Sequence, residues 1–540
     1  MRVALISCYD DRCLGLRHIA SYLRQKGHEV WLLCFKRFDS VLILPEDHEA
    51  WRQATSASYP PVTEAHEEGT IFCPYLQPTT EQEWQLLLEK LSAIRPGLIG
   101  ITLATATFDV ARKLTERIHR ELPGMPVVWG GIHATVCPEE CLQTADVVCV
   151  TEGEEVMAEL AADPQRTDIV GLWRRRNGEI VRTPIRSLEQ DLDRFPFASY
   201  GENEWLIEWD QIVELPITNK IYFRGVYTIM TQRGCPFGCT YCLHHVTRPM
   251  HKGERYLRRR SVDHVLAECA QRARDFELPG FGFFDDVFAV NARWTAEFAE
   301  KYPARVGLPF GGYAYPHVTT EEMLKQLKRA GMIFMGLGIQ TGSDYISREI
   351  YGRRYGADDL LEVARWGEQC GFTLHYELLS NCPFESEADC LQTLQLLMRL
   401  PKPTTLCIKR LVLFPNFKIS SLDKPKPHLP QTTFEFWNQL YLLSRHHRIA
   451  DEQLLALSKD EYLKAHPEIV QAVALALKRM VEAEKTKRAQ LDQLVAEESH
   501  PTVSGLFRRA AGIVGKRLVQ PIANGLRGRR RGSHSTPTSR

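Results

Sequence analysis

The chain has 540 residues, 44% of them hydrophobic and 25% charged, and its 67 basic and 67 acidic side chains leave no net charge. That length calls for roughly two to four domains, and the balanced charge excludes an electrostatic case for nucleic-acid binding. Fifteen irregularly spaced cysteines exclude a disulfide framework, and no apolar run reaches the ~20 residues of a membrane-spanning helix, so a cytoplasmic enzyme or binding protein is expected.

Val3-Ala4-Leu5-Ile6-Ser7-Cys8 reads as a buried parallel strand and not as a secretory leader. A helix-period segment from Leu16 to Lys26 stops at Gly27, and Glu29 to Phe35 is the next strand. Trp84 to Ile94 is helical, Gly97 to Leu103 a strand and Asp109 to Leu122 helical. Val127-Val128-Trp129 and Asp146 to Val150 complete the strand set. Strands alternating with helices predict a doubly wound parallel sheet, which binds ligands at the carboxyl ends of its strands. Ser7, Thr102, Thr105, Gly130, Gly131 and Gly153 fall at those ends, with Glu152 beside the last. A glycine there can equally serve a tight turn.

Taken together, Leu14-Gly15-Leu16, Gly27-His28-Glu29-Val30, Gly130-Gly131-Ile132-His133-Ala134 and Thr151-Glu152-Gly153-Glu154 resemble the cobalamin-binding domain that precedes many radical S-adenosylmethionine (SAM) modules. The resemblance covers about residues 1–165 and implies that the nucleotide tail of cobalamin threads into this domain. Relatives that ligate cobalt use Asp-x-His-x-x-Gly after the first strand. Asp10-Asp11-Arg12-Cys13-Leu14-Gly15 keeps that spacing with Arg12 in place of histidine, and an arginine cannot ligate cobalt. His133 is a candidate substitute ligand or a simple hydrogen-bonding residue. Residues 166–225, punctuated by Pro184, Pro196 and Pro216, are expected to bridge to the next domain.

Arg233-Gly234-Cys235-Pro236-Phe237-Gly238-Cys239-Thr240-Tyr241-Cys242 follows a strand from Val226 to Thr231. Three thiolates in a CxxxCxxC spacing can hold a 4Fe–4S cluster by three of its irons and leave the fourth open. A zinc site completed by His244 or His245 is the alternative, although zinc ligand pairs are usually spaced otherwise. The run resembles the signature of the radical SAM superfamily. That resemblance implies that Cys235, Cys239 and Cys242 hold the cluster, that SAM chelates the open iron, and that Tyr241 lies near the adenine.

Strands at Gly280–Phe284, Phe310–Ala314, Phe334–Ile339, Thr373–Leu379 and Leu406–Leu413 alternate with helices at Ser261–Arg274, Trp294–Tyr302, Thr320–Ala330, Asp358–Gln369 and Ala388–Arg399. Six strands fit the superfamily's partial (βα)6 barrel. Asp285 and Asp286 follow the second strand. Paired acids there can bind magnesium, work as acid and base, or cap a helix; the resemblance assigns one of them to SAM's ammonium group. Gly336-Leu337-Gly338-Ile339-Gln340 resembles a SAM-contacting segment, with Gln340 where many relatives have glutamate. Asn381-Cys382-Pro383-Phe384-Glu385-Ser386 stands where relatives often show Gly-x-Pro-Gly-Glu-Thr. Glu377 and Lys409 should face the barrel interior or mouth, or form halves of ion pairs.

No cysteine follows Cys407, which argues against an auxiliary cluster. Residues 416–500 are expected to be helical, and 501–540 to be a basic amphipathic and disordered tail suited to a membrane surface or to solvent. The expected fold is therefore α/β: a doubly wound Rossmann-like cobalamin-binding domain (1–165), a bridging segment (166–225), a partial radical SAM barrel (226–415) and a helical C-terminal region. The resemblance implies three cofactors (a 4Fe–4S cluster, SAM and cobalamin) and an external electron donor such as flavodoxin or ferredoxin. It also implies cleavage of SAM to a 5′-deoxyadenosyl radical, with methylation of an unactivated carbon of a small-molecule or lipid substrate. Radical oxidative cyclisation and a non-enzymatic cobalamin- or SAM-sensing module are the alternatives. A methylthiotransferase fits poorly, because Cys13, Cys34 and Cys73 are badly placed for a second cluster and the chain end reads as helical.

Overall fold

A computed structural model describes residues 1–37, 39–42, 62–65, 71–75, 78–176, 178–201, 203–215, 226–402, 404–423, 428–445 and 449–473. Among the described residues, two nine-stranded sheets carry the fold. The first is centred on Arg2–Cys8, whose Val3, Ala4, Leu5 and Ile6 are wholly buried. Such unbroken apolar runs suit a parallel strand covered on both faces. Glu29–Phe35 pairs with it on one side and Leu98–Thr102 on the other, and Val127–Gly130 and Val147–Cys149 follow outward, all parallel. The strand order therefore reverses beside Arg2–Cys8, the position at which doubly wound sheets open a ligand crevice.

Helices Leu14–Gln25 and Glu154–Ala162 pack on one face, through Leu16, Ala20, Leu23, Val156 and Leu160. Helices Glu81–Ile94 and Phe108–Glu121 cover the other through Trp84, Leu87, Leu91, Leu114 and Ile118. Thr80 starts the third of these with a reciprocal capping box to Glu83. The bridging segment does not run free between domains. Leu172–Arg176 and Glu179–Arg182 extend one edge of this sheet, and Glu204–Glu208 and Gln211–Glu214 the other.

The second sheet is a curled half-barrel of six parallel strands: Tyr227–Ile229, Phe281–Phe283, Phe310–Ala314, Met332–Gln340, Thr373–Ser380 and Thr404–Arg410. Burial alternates along Phe310–Ala314 and Thr373–Ser380. Phe310, Ala314, Leu374, Tyr376 and Leu378 pack on the helices, so Tyr313, His375 and Glu377 occupy the opposite, concave face. Helix starts follow capping chemistry, with Ser261, Asn291, Thr320 and Ser386 each accepting an N–H from the first turn. Gly331, at φ +106°, ends Glu321–Ala330.

One departure concerns the first 165 residues. Asp39–Leu42, Val62–Ala65 and Ile71–Tyr75 leave the first domain and join the second sheet, Val62–Ala65 pairing antiparallel with Thr404–Arg410. The half-barrel's last parallel strand is thereby covered instead of presenting an open edge. Gln431–Leu443 packs Phe434, Phe436, Trp437 and Leu440 into the barrel's core. Residues 474–540, including the basic tail, lie outside the described residues.

Candidate functional site

The crevice of the first sheet is a slot of about 250 Å³ lined by Gly15, Gly100, Thr102, Gly130, Gly131, Gly153 and apolar neighbours such as Leu5, Ile19 and Met157. Its width depends on absent side chains. A Cβ on Gly131 would stand 2.7 Å from Thr102 Oγ1 and 2.9 Å from the Leu103 carbonyl, at a φ of +93°. One on Gly100 would meet Leu5 Cδ2 at 2.9 Å and Met157 at 3.1 Å.

Ser7 and Glu152 line a second, larger cavity of about 620 Å³ that also takes in Thr102, Gly131, Gly234, His244, Asp285 and Asp286. Ser7 Oγ is buried without a hydrogen-bond partner. A buried, unsatisfied hydroxyl on the wall of this larger cavity is what a bound polar ligand would satisfy. Thr105 is not part of either lining. Its hydroxyl lies 3.0 Å from His133 Nδ1, and His133 Nε2 lies 3.3 Å from Glu140. His133 is 3% exposed, packs on the Phe108 ring and borders neither cavity, so it sits as a hydrogen-bonding residue of the domain. Arg12 stands over the Phe284 ring of the second domain, 5.3 Å from its centre.

The cysteine loop is held from several directions. Asp285, 3% exposed, accepts from Thr231 N at 2.8 Å, Thr231 Oγ1 at 2.6 Å and Gln232 N at 3.0 Å. Its carboxylate is thus occupied by the chain leading into the cysteines, and burial raises its pKa to about 6. Asp286 is the half-exposed one, 2.9 Å from His244 Nε2, and His244 Nδ1 lies 2.7 Å from the Tyr256 hydroxyl. Both acids border the larger cavity, but Asp285 is committed to the chain leading into the cysteines and Asp286 is half-exposed.

Arg248 donates to the Cys235 and Phe237 carbonyls, Thr240 is bound to the Ile350 and Tyr351 carbonyls, and Phe237 stacks on Tyr315 at 3.8 Å. Burial pushes the Cys235 and Cys242 thiols up to about 12, and the charges of the neighbouring cysteines push the same way. Thiols so placed become thiolates only when a cation joins them, as metal or cluster binding requires. Three cysteines in one short loop, Cys235 and Cys239 buried and Cys242 partly so, fit a cluster held at three corners. Cys235, His244 and Asp286 also bring S, N and O donors within 4.8 Å of one another, an arrangement a zinc ion could use.

Gln340 closes the strand Met332–Gln340 at φ +68°, beside a register shift at Gly338. Arg353 donates to the Gly338 and Ile339 carbonyls at 3.0 Å each, and Tyr355 to the Gly338 carbonyl at 3.0 Å. A non-glycine residue at positive φ is strained backbone, a mark of ligand-contacting turns. Tyr241 packs edge-on against Tyr351 at 4.8 Å. Glu377 and Lys409 pair with each other at 2.8 Å, and Tyr313 donates to Glu377 at 3.0 Å. Burial disfavours the Glu377 carboxylate, but His375 and Lys409 outweigh it and hold its pKa at about 2. Arg248 and Tyr256 escaped the sequence reading, and His244 entered it only as a possible zinc ligand. Their only signal was proximity to the third cysteine, because hydrogen bonding to loop carbonyls leaves no motif.

Residues 72–161 match the B12-binding domain family, and residues 229–397 match the Radical SAM superfamily. A segment matching the B12-binding domain thus precedes one matching the Radical SAM superfamily. An uncharacterized methyltransferase of Pyrococcus horikoshii is 25% identical to this chain over 385 residues, 67% of this chain and 78% of that one. The anaerobic magnesium-protoporphyrin IX monomethyl ester cyclase of Cereibacter sphaeroides is 27% identical over 48% of this chain, a stretch that is only 42% of its own length. The radical SAM methyltransferase TsrM of Kitasatospora setae, solved with cobalamin and a 4Fe–4S cluster, superposes with TM-score 0.57 at 18% identity, over 77% of this chain and 76% of that one. The cobalamin-dependent radical enzyme OxsB gives TM-score 0.55 at 15% identity, over 92% of this chain and 75% of that one. These structural likenesses show a shared fold.

Proposed function

We propose that this protein is a cobalamin-dependent radical SAM methyltransferase acting on carbon. The observation that carries the reading is the single 620 Å³ cavity walled on one side by the B12-binding domain's Ser7, Thr102, Gly131 and Glu152. On the other side it is walled by residues flanking the cysteine loop, Gly234, Leu243 and His244. A substrate there would lie between the two cofactor loops.

Cys235, Cys239 and Cys242 would hold the cluster, and Gly130, Gly131 and Gly153 would admit the corrinoid's tail. When bound, the three cofactors would supply one-electron cleavage of SAM and a methyl group for an unreactive carbon. The chain's own part is placement. Asp286, kept facing the cavity by His244, would accept from SAM's ammonium group, while Asp285 keeps Thr231 and Gln232 in register for the cysteines. The bulge at Gly338 and Gln340 would offer backbone and amide groups to the nucleoside, with Tyr241 at the adenine.

The likeness to the Pyrococcus methyltransferase and to the methyltransferase TsrM supports methylation. The cyclase relatives support a second reading, radical oxidation or ring closure without methyl transfer. Product mass distinguishes them: with labelled SAM, methylation adds a labelled methyl group, and cyclisation adds no label. An external electron donor of the flavodoxin or ferredoxin class would reduce the cluster. For the tail, the basic and apolar mixture between residues 505 and 531 supports contact with an anionic membrane. No described helix is long and apolar enough to cross one. Deleting residues 503–540 should release the protein from anionic liposomes, and unchanged partition would remove the membrane reading.

A further inference from the structure

The cysteine loop and the glycine loop of the B12-binding domain are tied together by charge. Arg233 stands two residues before Cys235 and pairs with Arg258 in a short antiparallel ladder. Across the domain boundary, Arg233 Nη2 donates to Glu154, and its Nη1 lies 3.2 Å from Glu152. Arg258 grips both carboxylate oxygens of Glu152, one at 3.0 Å, and donates to the Glu189 carbonyl at 2.9 Å. The Arg258 and Glu154 side chains are 2% and 6% exposed. Two guanidinium groups and two carboxylates balance within this clamp, so deleting one group strands another charge away from water.

Both loops pack closely against their neighbours. A Cβ on Gly234 would stand 2.4 Å from the Tyr256 carbonyl, and one on Gly153 would stand 2.9 Å from Ile19 Cδ1. Thr151 is held at φ +89°. Thr151, Glu152 and Arg233 line both the crevice and the larger cavity, so the clamp stands where the two meet.

We propose that Arg233 and Arg258 are positioning residues that lock the Thr151–Glu154 loop to the cysteine loop and so fix the separation of the two cofactor sites. The proposal rests on the cofactor reading above, because only two sites acting on one substrate need a fixed spacing. Forked arginine–carboxylate bonds supply direction as well as charge, which a lysine ammonium does not. Chemistry that bridges two groups loses rate steeply with a displacement of about 1 Å.

The test uses the full chain without cofactors and hydrogen exchange resolved by segment. Arg233→Gln should speed exchange about tenfold both in residues 232–242 and in residues 150–156, which the substitution does not touch in sequence. Arg233→Lys should fall between, and adding Glu154→Gln to Arg233→Gln should change little. Cobalamin titrated in the dark should bind about tenfold more weakly to Arg233→Gln than to the native chain. Should Arg233→Gln fail to fold, Arg258→Gln, which loosens Glu152 and the Glu189 carbonyl but leaves the Arg233–Glu154 pair, carries the same comparison. Unchanged exchange in residues 150–156, with the two single effects adding, would overturn the clamp. Failure of the native chain to take up cobalamin would instead sink the cofactor reading, and the exchange result would still decide whether the loops are coupled.

Discussion

The two halves of the site solve different problems. The crevice of the B12-binding domain is made by subtraction: Gly100, Gly131 and Gly153 leave a slot that a single Cβ would close. The mouth of the half-barrel is made by addition: Asp286 and His244 bring polar groups beside the Cys235 thiol, while Asp285 and Arg248 hold the backbone that carries the cysteines. A slot recognises shape and tolerates no volume. A donor set recognises charge and tolerates no loss of a donor. Each half should therefore fail by a different kind of substitution.

The largest effect is expected at the donor half. Cys235→Ala with Cys239→Ala and Cys242→Ala should abolish iron content and cluster absorbance in reconstituted protein, while dark-titrated cobalamin is still retained. If zinc replaced iron as the metal found in anaerobically purified native protein, the S, N and O set of Cys235, His244 and Asp286 would be the better description.

Gly131→Val is the matching test of the slot. Its positive φ and the 2.7 Å approach to Thr102 Oγ1 should cost about 1–3 kcal/mol of stability and prevent cobalamin retention, with iron content unchanged. Loss of iron in that variant would show that the halves do not fail separately.

Smaller effects should separate the paired acids. Asp285→Asn should destabilise the protein by about 1–3 kcal/mol, because one of the N–H and O–H groups on Thr231 and Gln232 loses its acceptor. Asp286→Asn should stay within about 0.5 kcal/mol in denaturant melts yet weaken SAM binding in equilibrium dialysis. Equal destabilisation by both substitutions would remove the distinction drawn between them.

The smallest effect is a pH slope. Burial, with the Asp389 charge, raises the Glu385 pKa to about 8. A folded-state value above the ordinary 4.5 means that this group's contribution is fully present below about 4.5. It is lost as pH rises through about 8. At its steepest the loss approaches about 1.4 kcal/mol per pH unit. Glu385→Gln should flatten stability between pH 6 and pH 9, and an unchanged slope in denaturant titrations would exclude Glu385 as its source.

The parallel strands, most helices and the cysteine run were legible in the sequence because each is a local statement. Val3 to Ile6 is apolar without interruption, and Thr320 and Gly331 bracket a helix by capping chemistry. Three cysteines within eight residues chelate whatever the fold around them. The strands at Asp39–Leu42, Val62–Ala65 and Ile71–Tyr75 were not legible, because they join the second sheet through Val62–Ala65, whose partner strand begins at Thr404 and is announced by nothing nearby in sequence.

The sequence by itself thus determined which side chains can hold a cluster and which glycines can leave a slot. Spacing and the absence of a side chain are properties of a short segment. Only the tertiary structure divided Asp285 from Asp286, paired Glu377 with Lys409 and Arg233 with Glu154, and took Thr105 and His133 out of the cavity walls. Those outcomes depend on which groups are brought together from distant parts of the chain and how far each is withdrawn from water. Burial sets the cost of a charge, and the partner across the gap decides whether that cost is met.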